Sequence, residues 1–114
     1  MHRADTNVND VQLEDILCDF CGDTAWANGT PCVEGHRGSV VCGDCLSKAY
    51  RRVVLVGNTE LQNTTCTMCI ERRDQSLWKG SFGEGANICL RCIKQSATVL
   101  EKSEHWDWER PTKL

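Results

Sequence analysis

Apolar residues recur at helical spacing in two stretches of the chain, and each stretch begins at a cysteine pair. Leu46, Ala49, Tyr50 and Val53 follow Cys42-Gly-Asp-Cys45 at positions i, i+3, i+4 and i+7, which predicts an amphipathic helix. Ile93, Ala97 and Leu100 follow Cys89-Leu-Arg-Cys92 in the same way and predict a second helix. The run Val53-Val-Leu-Val56 either finishes the first helix or forms a strand, and Gly57-Asn58 stops it in both cases. Upstream of each helix the sequence is rich in turn residues. Gly29-Thr-Pro31 and Glu34-Gly-His36-Arg-Gly38 predict a hairpin returning through Ser39-Val-Val41, and Gly83, Gly85 and Asn87 mark a second one. Residues 1–9 carry no periodicity and are expected to be a mobile arm. Val11, Leu13, Ile16 and Leu17 then predict a short helical turn capped by Asp10.

Cysteine usage changes the picture from a small apolar domain to a metal-dependent one. The chain has 114 residues, only 6% of them aromatic, and nine cysteines. Units of about 40 residues rarely bury enough apolar surface to fold without a metal or disulfides. Eight of the cysteines fall into four Cys-x-x-Cys pairs: Cys18/Cys21, Cys42/Cys45, Cys66/Cys69 and Cys89/Cys92. Two thiolates at this spacing converge on one tetrahedral ion, so the pattern points to zinc. The odd total and a start without an apolar leader segment argue against a disulfide framework, and the expected location is the cytoplasm. No stretch is long and apolar enough to cross a membrane.

Spacing alone leaves sequential, interleaved and nested pairings of the four motifs open. An internal duplication favours the sequential one. Cys66-Thr-Met-Cys69 parallels Cys18-Asp-Phe-Cys21, and Ile88-Cys89-Leu-Arg-Cys92-Ile93 parallels Val41-Cys42-Gly-Asp-Cys45-Leu46. Trp26 followed by Gly29 is matched in this comparison with Trp78 followed by Gly80. Each half then carries a cysteine knuckle, a hairpin and a helix, and completes its own tetrahedron.

The expected fold is therefore small α+β and metal-stabilised, with two structural zinc ions. It divides into an arm (1–15), a first four-cysteine finger (16–57), a linker (58–65), a second finger (66–103) and a tail (104–114). The order of knuckle, hairpin and helix is that of the treble-clef zinc finger. Ile88-Cys-Leu-Arg-Cys-Ile93 with its knuckle, and the first finger with its knuckle glycine Gly22, resemble the N-terminal zinc-binding domain of the ClpX unfoldase. That resemblance implies a domain that dimerises and recognises adaptors and substrates. The chain has no Walker motif, so unfoldase activity is not implied.

Charge and the remaining residues bound the function. A zinc ion in four thiolates is a net −2 site, so the formal charge of −3 becomes about −7 with two such sites. This argues mildly against nucleic acid, although Arg37, Arg51, Arg52, Arg72, Arg73 and Lys79 keep that reading open. Closed four-cysteine sites have no open position for water, and the only hairpin histidine is His36, so no enzyme is expected. Cys32, the unpaired ninth cysteine, reads as a small buried hydrophobe, with an accessory or redox role alongside His36 as the alternative. The expectation is a protein-interaction or adaptor module, with a homodimer allowed for. Its candidate contacts are Val53, Val54, Leu55 and Val56, together with Trp106 and Trp108 in the acidic tail.

Overall fold

The computed structural model describes residues 1–57, 64–72, 75–83 and 85–113. The linker expected at 58–65 therefore lies largely outside the described residues, as does Arg73.

Two short antiparallel hairpins, each followed directly by a helix, make up the fold. In the first half, β1 (Cys32–Glu34) pairs with β2 (Val40–Cys42), and α1 (Gly43–Ala49) follows. In the second half, β3 (Leu77–Lys79) pairs with β4 (Asn87–Cys89), and α2 (Leu90–Lys102) follows. The two hairpins share one register. Cys32, Val33 and Glu34 face Cys42, Val41 and Val40, as Leu77, Trp78 and Lys79 face Cys89, Ile88 and Asn87.

Both helices bury the stripe that their sequences predict. Leu46 and Ala49 are fully buried and Tyr50 and Val53 nearly so, while α2 buries Ile93, Ala97 and Leu100. The apolar run after α1 continues the helix rather than forming a strand. The chain widens into a π-helical segment over Tyr50–Leu55, and Gly57 ends it with φ of 76°. Within that run Val53 is buried, Val54 and Leu55 are half-buried against the core, and Val56 is exposed.

The duplication needs one realignment. Trp78 lies on β3 at the place that Val33 holds on β1, and Gly80 corresponds to Gly35. Trp26 instead sits in the turn that leads into β1. The matching of Trp26 with Trp78 is thus corrected: the second half has a shorter lead-in to its hairpin (70–76 against 22–31) and a longer tip (80–86 against 35–39). The opposed length changes nearly cancel, so cysteine spacing hides them.

The halves share one hydrophobic core, to which Phe20, Leu46, Val53, Met68, Leu77, Ile88, Ile93 and Leu100 all belong. Contact between them is reciprocal. The tip of the first hairpin packs on the second knuckle, where the Met68 carbonyl accepts from the His36 N–H at 2.8 Å. The tip of the second hairpin packs on the first knuckle, where the Phe20 carbonyl accepts from the Ser81 N–H at 2.9 Å and the Phe82 N–H at 3.2 Å. Glycine makes both approaches close enough. A Cβ on Gly35 would lie 2.6 Å from the Met68 carbonyl oxygen, and one on Gly80 would lie 2.4 Å from that of Phe20.

At the N-terminus, residues 1–3 run alongside 15–17. His2 bridges Ile16, and the Arg3 N–H donates to the Asp15 carbonyl. The helical turn expected there is a 3-10 turn at Leu13–Asp15. Its cap is Gln12 rather than Asp10, with the Gln12 N–H on the Asp15 carboxylate at 3.0 Å. No helix among the described residues is long and apolar enough to cross a membrane.

Candidate metal centres

Each site is assembled from one knuckle and one helix start. In the first knuckle the Gly22 N–H donates to the Cys18 carbonyl at 2.8 Å and the Cys18 N–H to Asp23 at 3.0 Å. The second repeats this with Ile70 to Cys66 at 2.8 Å and Cys66 to Glu71 at 2.9 Å. Closing the turn requires a left-handed residue after the second cysteine. Gly22 meets that need at φ 74°, whereas Ile70 is forced to φ 60°. The knuckle is then tied to its own hairpin: the Asp19 N–H donates to Val40 at 2.9 Å, and the Thr67 N–H to Asn87 at 2.8 Å. Strands β2 and β4 end on Cys42 and Cys89, and one turn of helix brings Cys45 and Cys92 to the same point.

The result is two four-sulfur clusters: Cys18, Cys21, Cys42 and Cys45, and Cys66, Cys69, Cys89 and Cys92. All Sγ atoms of a cluster lie within 4.8 Å of one another. Individual separations are 3.9 Å for Cys18–Cys45, 3.8 Å for Cys21–Cys42 and 4.0 Å for Cys69–Cys89. A tetrahedron with zinc–sulfur bonds of about 2.3 Å has edges of about 3.8 Å, so the donor sets fit zinc in size and softness. All nine cysteines are free of disulfides. The pairing is sequential, with each half closing its own cluster.

Backbone amides are aimed at the sulfurs. The Cys18 Sγ accepts from the N–H groups of Phe20 and Cys42, both at 3.4 Å, and the Cys66 Sγ accepts from that of Cys89 at 3.3 Å. Such donors favour thiolate over thiol. Hydrogen bonds from the Cys42 and then the Cys45 thiol hold the Cys18 sulfur well below the usual thiol range. The same contact with Cys18 pushes Cys42 up to about 12 and Cys45 higher still. Cys66 is likewise lowered, by Cys89 and Cys92, while its contact raises Cys89 to about 11 and Cys92 further. Four sulfurs this close must share protons or a cation, and a divalent metal would supply the cation. Bound zinc would supply a structural crosslink here, because every tetrahedral position is a protein sulfur.

Cys32 joins neither cluster. It is 8% exposed, its Sγ contacts the Thr30 carbonyl at 3.3 Å, and burial, then the neighbouring Cys18 sulfur, pushes its thiol up to about 12. His36 is exposed at the hairpin tip, with Nδ1 3.2 Å from the Cys69 carbonyl oxygen. Trp108 lies against α1: its Nε1 donates to the Gly43 carbonyl at 3.2 Å and to Ser47 Oγ at 3.1 Å. Trp106 is half-buried with His105 edge-on at 4.6 Å. Arg37, Arg51, Arg52, Arg72 and Lys79 are all exposed, on the first hairpin tip, the π-helical segment, the Thr65–Arg72 bridge and β3.

Sequence reasoning had no signal for one feature, a groove of about 850 Å³ between β1 and α2. Val33, Met68 and Val99 give it apolar walls, and Arg91, Lys94 and Glu34 stand on it. At the corresponding place across the molecule, Trp78 replaces Val33 and stacks on Phe20 with centroids 5.9 Å apart.

Comparison of the chain with protein-family models, with curated proteins and with solved structures finds no match.

Proposed function

We propose that this is a non-enzymatic zinc protein that acts as a protein-interaction or adaptor module, working in the reducing cytoplasm. In this reading the two halves are treble-clef fingers of the type found in the ClpX N-terminal zinc-binding domain. They are joined in one chain so that they pair with each other as separate copies do in that family. The observation that carries the reading is the reciprocal seating of each hairpin tip on the other half's knuckle, through His36 to Met68 and Ser81 to Phe20. Such an arrangement spends both metal sites on holding a surface in place. Two closed sulfur tetrahedra leave no coordination position for a substrate, which supports the absence of catalysis. The exposed apolar residues Val56 and Val99 support recognition of another protein.

The exposed arginines favour nucleic acid as the competing partner. Affinity capture with the zinc-loaded chain, with and without nuclease, separates the two. The expected result is a defined protein partner whose capture resists nuclease and changes little with salt. Retention on generic DNA or RNA that falls steeply as salt rises would overturn the reading.

A further inference from the structure

The two metal centres lie at opposite ends of the same hydrogen-bonded circuit. Phe20 stands between Cys18 and Cys21. Its N–H donates to the Cys18 sulfur at 3.4 Å, and its carbonyl holds the Ser81 N–H of the second hairpin tip at 2.9 Å. Met68 stands between Cys66 and Cys69, and its carbonyl holds the His36 N–H of the first tip at 2.8 Å. The His36 ring adds a contact of 3.2 Å to the Cys69 carbonyl. Each tip leads straight into the strand that ends on the other site's third cysteine, Cys42 for the His36 tip and Cys89 for the Ser81 tip.

We infer that the two sites bind metal cooperatively, with Phe20 and Met68 as the residues that couple them. Without its ion a knuckle keeps only its few backbone hydrogen bonds, and the carbonyl at its tip is held less firmly. Losing the metal at Cys18, Cys21, Cys42 and Cys45 releases the Phe20 carbonyl, and with it the register of the tip that positions Cys89 and Cys92. Losing the other metal frees Met68 and the tip that positions Cys42 and Cys45. The shared core strengthens the link, since Phe20 and Met68 are both buried in it at 0% and 4% exposure. Coupling of this kind is reciprocal by thermodynamic necessity. The chain then switches between a two-metal folded form and a metal-free unfolded one, with the one-metal form suppressed.

The inference rests on the sulfur geometry and the hairpin contacts, and stands whether the partner is a protein or a nucleic acid. Its test is native mass spectrometry of the full chain during a zinc titration against a competing chelator. Independent equal sites give a one-zinc species of about one half at half-saturation; the expected fraction is below about one tenth. A one-zinc species near one half overturns the inference. A second measurement removes one site with the pair Cys18→Ser and Cys21→Ser and follows zinc release from the other to a chromophoric chelator. Release at least about tenfold faster than from the unaltered chain is expected, and an unchanged rate overturns it. Gly80→Ala, which touches no ligand, tests the route itself: it should raise the one-zinc fraction, and a fraction left unchanged despite the displaced tip would overturn the role of Phe20.

Discussion

Cys32 holds in the first half the place that Leu77 holds in the second. Each starts the first strand of its hairpin, and each faces a helix-start cysteine across the ladder, Cys32 opposite Cys42 and Leu77 opposite Cys89. Both are buried, at 8% and 5% exposure. The equivalence explains why a ninth cysteine exists in a protein that needs eight. The position takes a buried apolar side chain, leucine in the second half, and a protonated thiol fills it in the first.

Replacing Cys32 with Val should therefore leave two zinc ions per chain and change stability by less than about 1.5 kcal/mol, as volume-conserving core changes do. Zinc analysis and thermal unfolding of the loaded protein check this together. Loss of an ion would mean that Cys32 is a ligand after all. Because burial and the adjacent Cys18 sulfur raise its thiol to about 12, Cys32 should also resist alkylation at neutral pH in the folded protein.

Gly80 and Gly29 should differ in what alanine costs them, and for different reasons. At Gly80 the added methyl would meet the Phe20 carbonyl oxygen at 2.4 Å and its Cα at 2.6 Å, both of them backbone atoms that cannot swing aside. Overpacking of this kind costs about 1–3 kcal/mol, and separation of the halves would add to it. At Gly29 the methyl meets nothing, and only the left-handed φ of 79° opposes it, at about 1–2 kcal/mol. Denaturant unfolding should rank Gly80→Ala as the more damaging change. The reverse order would remove the knuckle contact as a source of stability.

Much of this architecture is legible in the sequence because cysteine spacing and helical periodicity are local signals. The eight clustered cysteines and the buried stripes of both helices can be read directly, down to Leu46, Ala49, Tyr50 and Val53, whereas the sequential pairing is legible only through the internal duplication. The way the halves meet is not legible. That interface is made by the carbonyls of Phe20 and Met68 and by the missing side chains of Gly35 and Gly80, and a backbone carbonyl leaves no mark on residue identity. Compensating length changes around the second hairpin conceal the correspondence of Trp78 with Val33. The pairing of His2 with Ile16 is equally silent, since it too is made by backbone groups.

Trp108 and Arg110 tie the C-terminal segment to both helices. The indole occupies the space over Gly43, where a Cβ would be 3.0 Å from its ring, and Arg110 bonds the Glu101 carboxylate and lies over the Tyr50 ring. Trp108→Ala removes two hydrogen bonds and a half-buried indole, and should cost about 1–3 kcal/mol while exposing residues 104–113 to protease. The Arg110 link should depend on pH. Its hydrogen bond holds the Glu101 carboxyl below the usual carboxylate range, so the link is complete above that range and lost as pH falls through the lowered value. Glu101 is exposed and Arg110 only half-buried, so salt should weaken the tie as well. A cleavage rate at the tail that is insensitive to Trp108→Ala, to acid and to salt would show that these contacts do not hold it.

Removing the metal should unfold the whole chain rather than loosen two loops. The ladders that organise the core are three residues per strand, too short to persist alone, and both helices begin on ligand cysteines. Structural zinc contributes about 10–16 kcal/mol in zinc-finger peptides at neutral pH, comparable to or larger than the entire stability of a typical domain. A strong chelator should release two zinc ions and abolish the helical circular-dichroism signal in one transition. Acid should do the same without chelator. Zinc binds thiolates, so each proton that returns to sulfur as pH falls competes with it, and four sulfurs per site make the dependence steep. The midpoint of acid release should move to lower pH as free zinc is raised, because mass action favours the loaded form. A helical signal that survives complete zinc removal at neutral pH would show that the core, and not the metal, holds the fold.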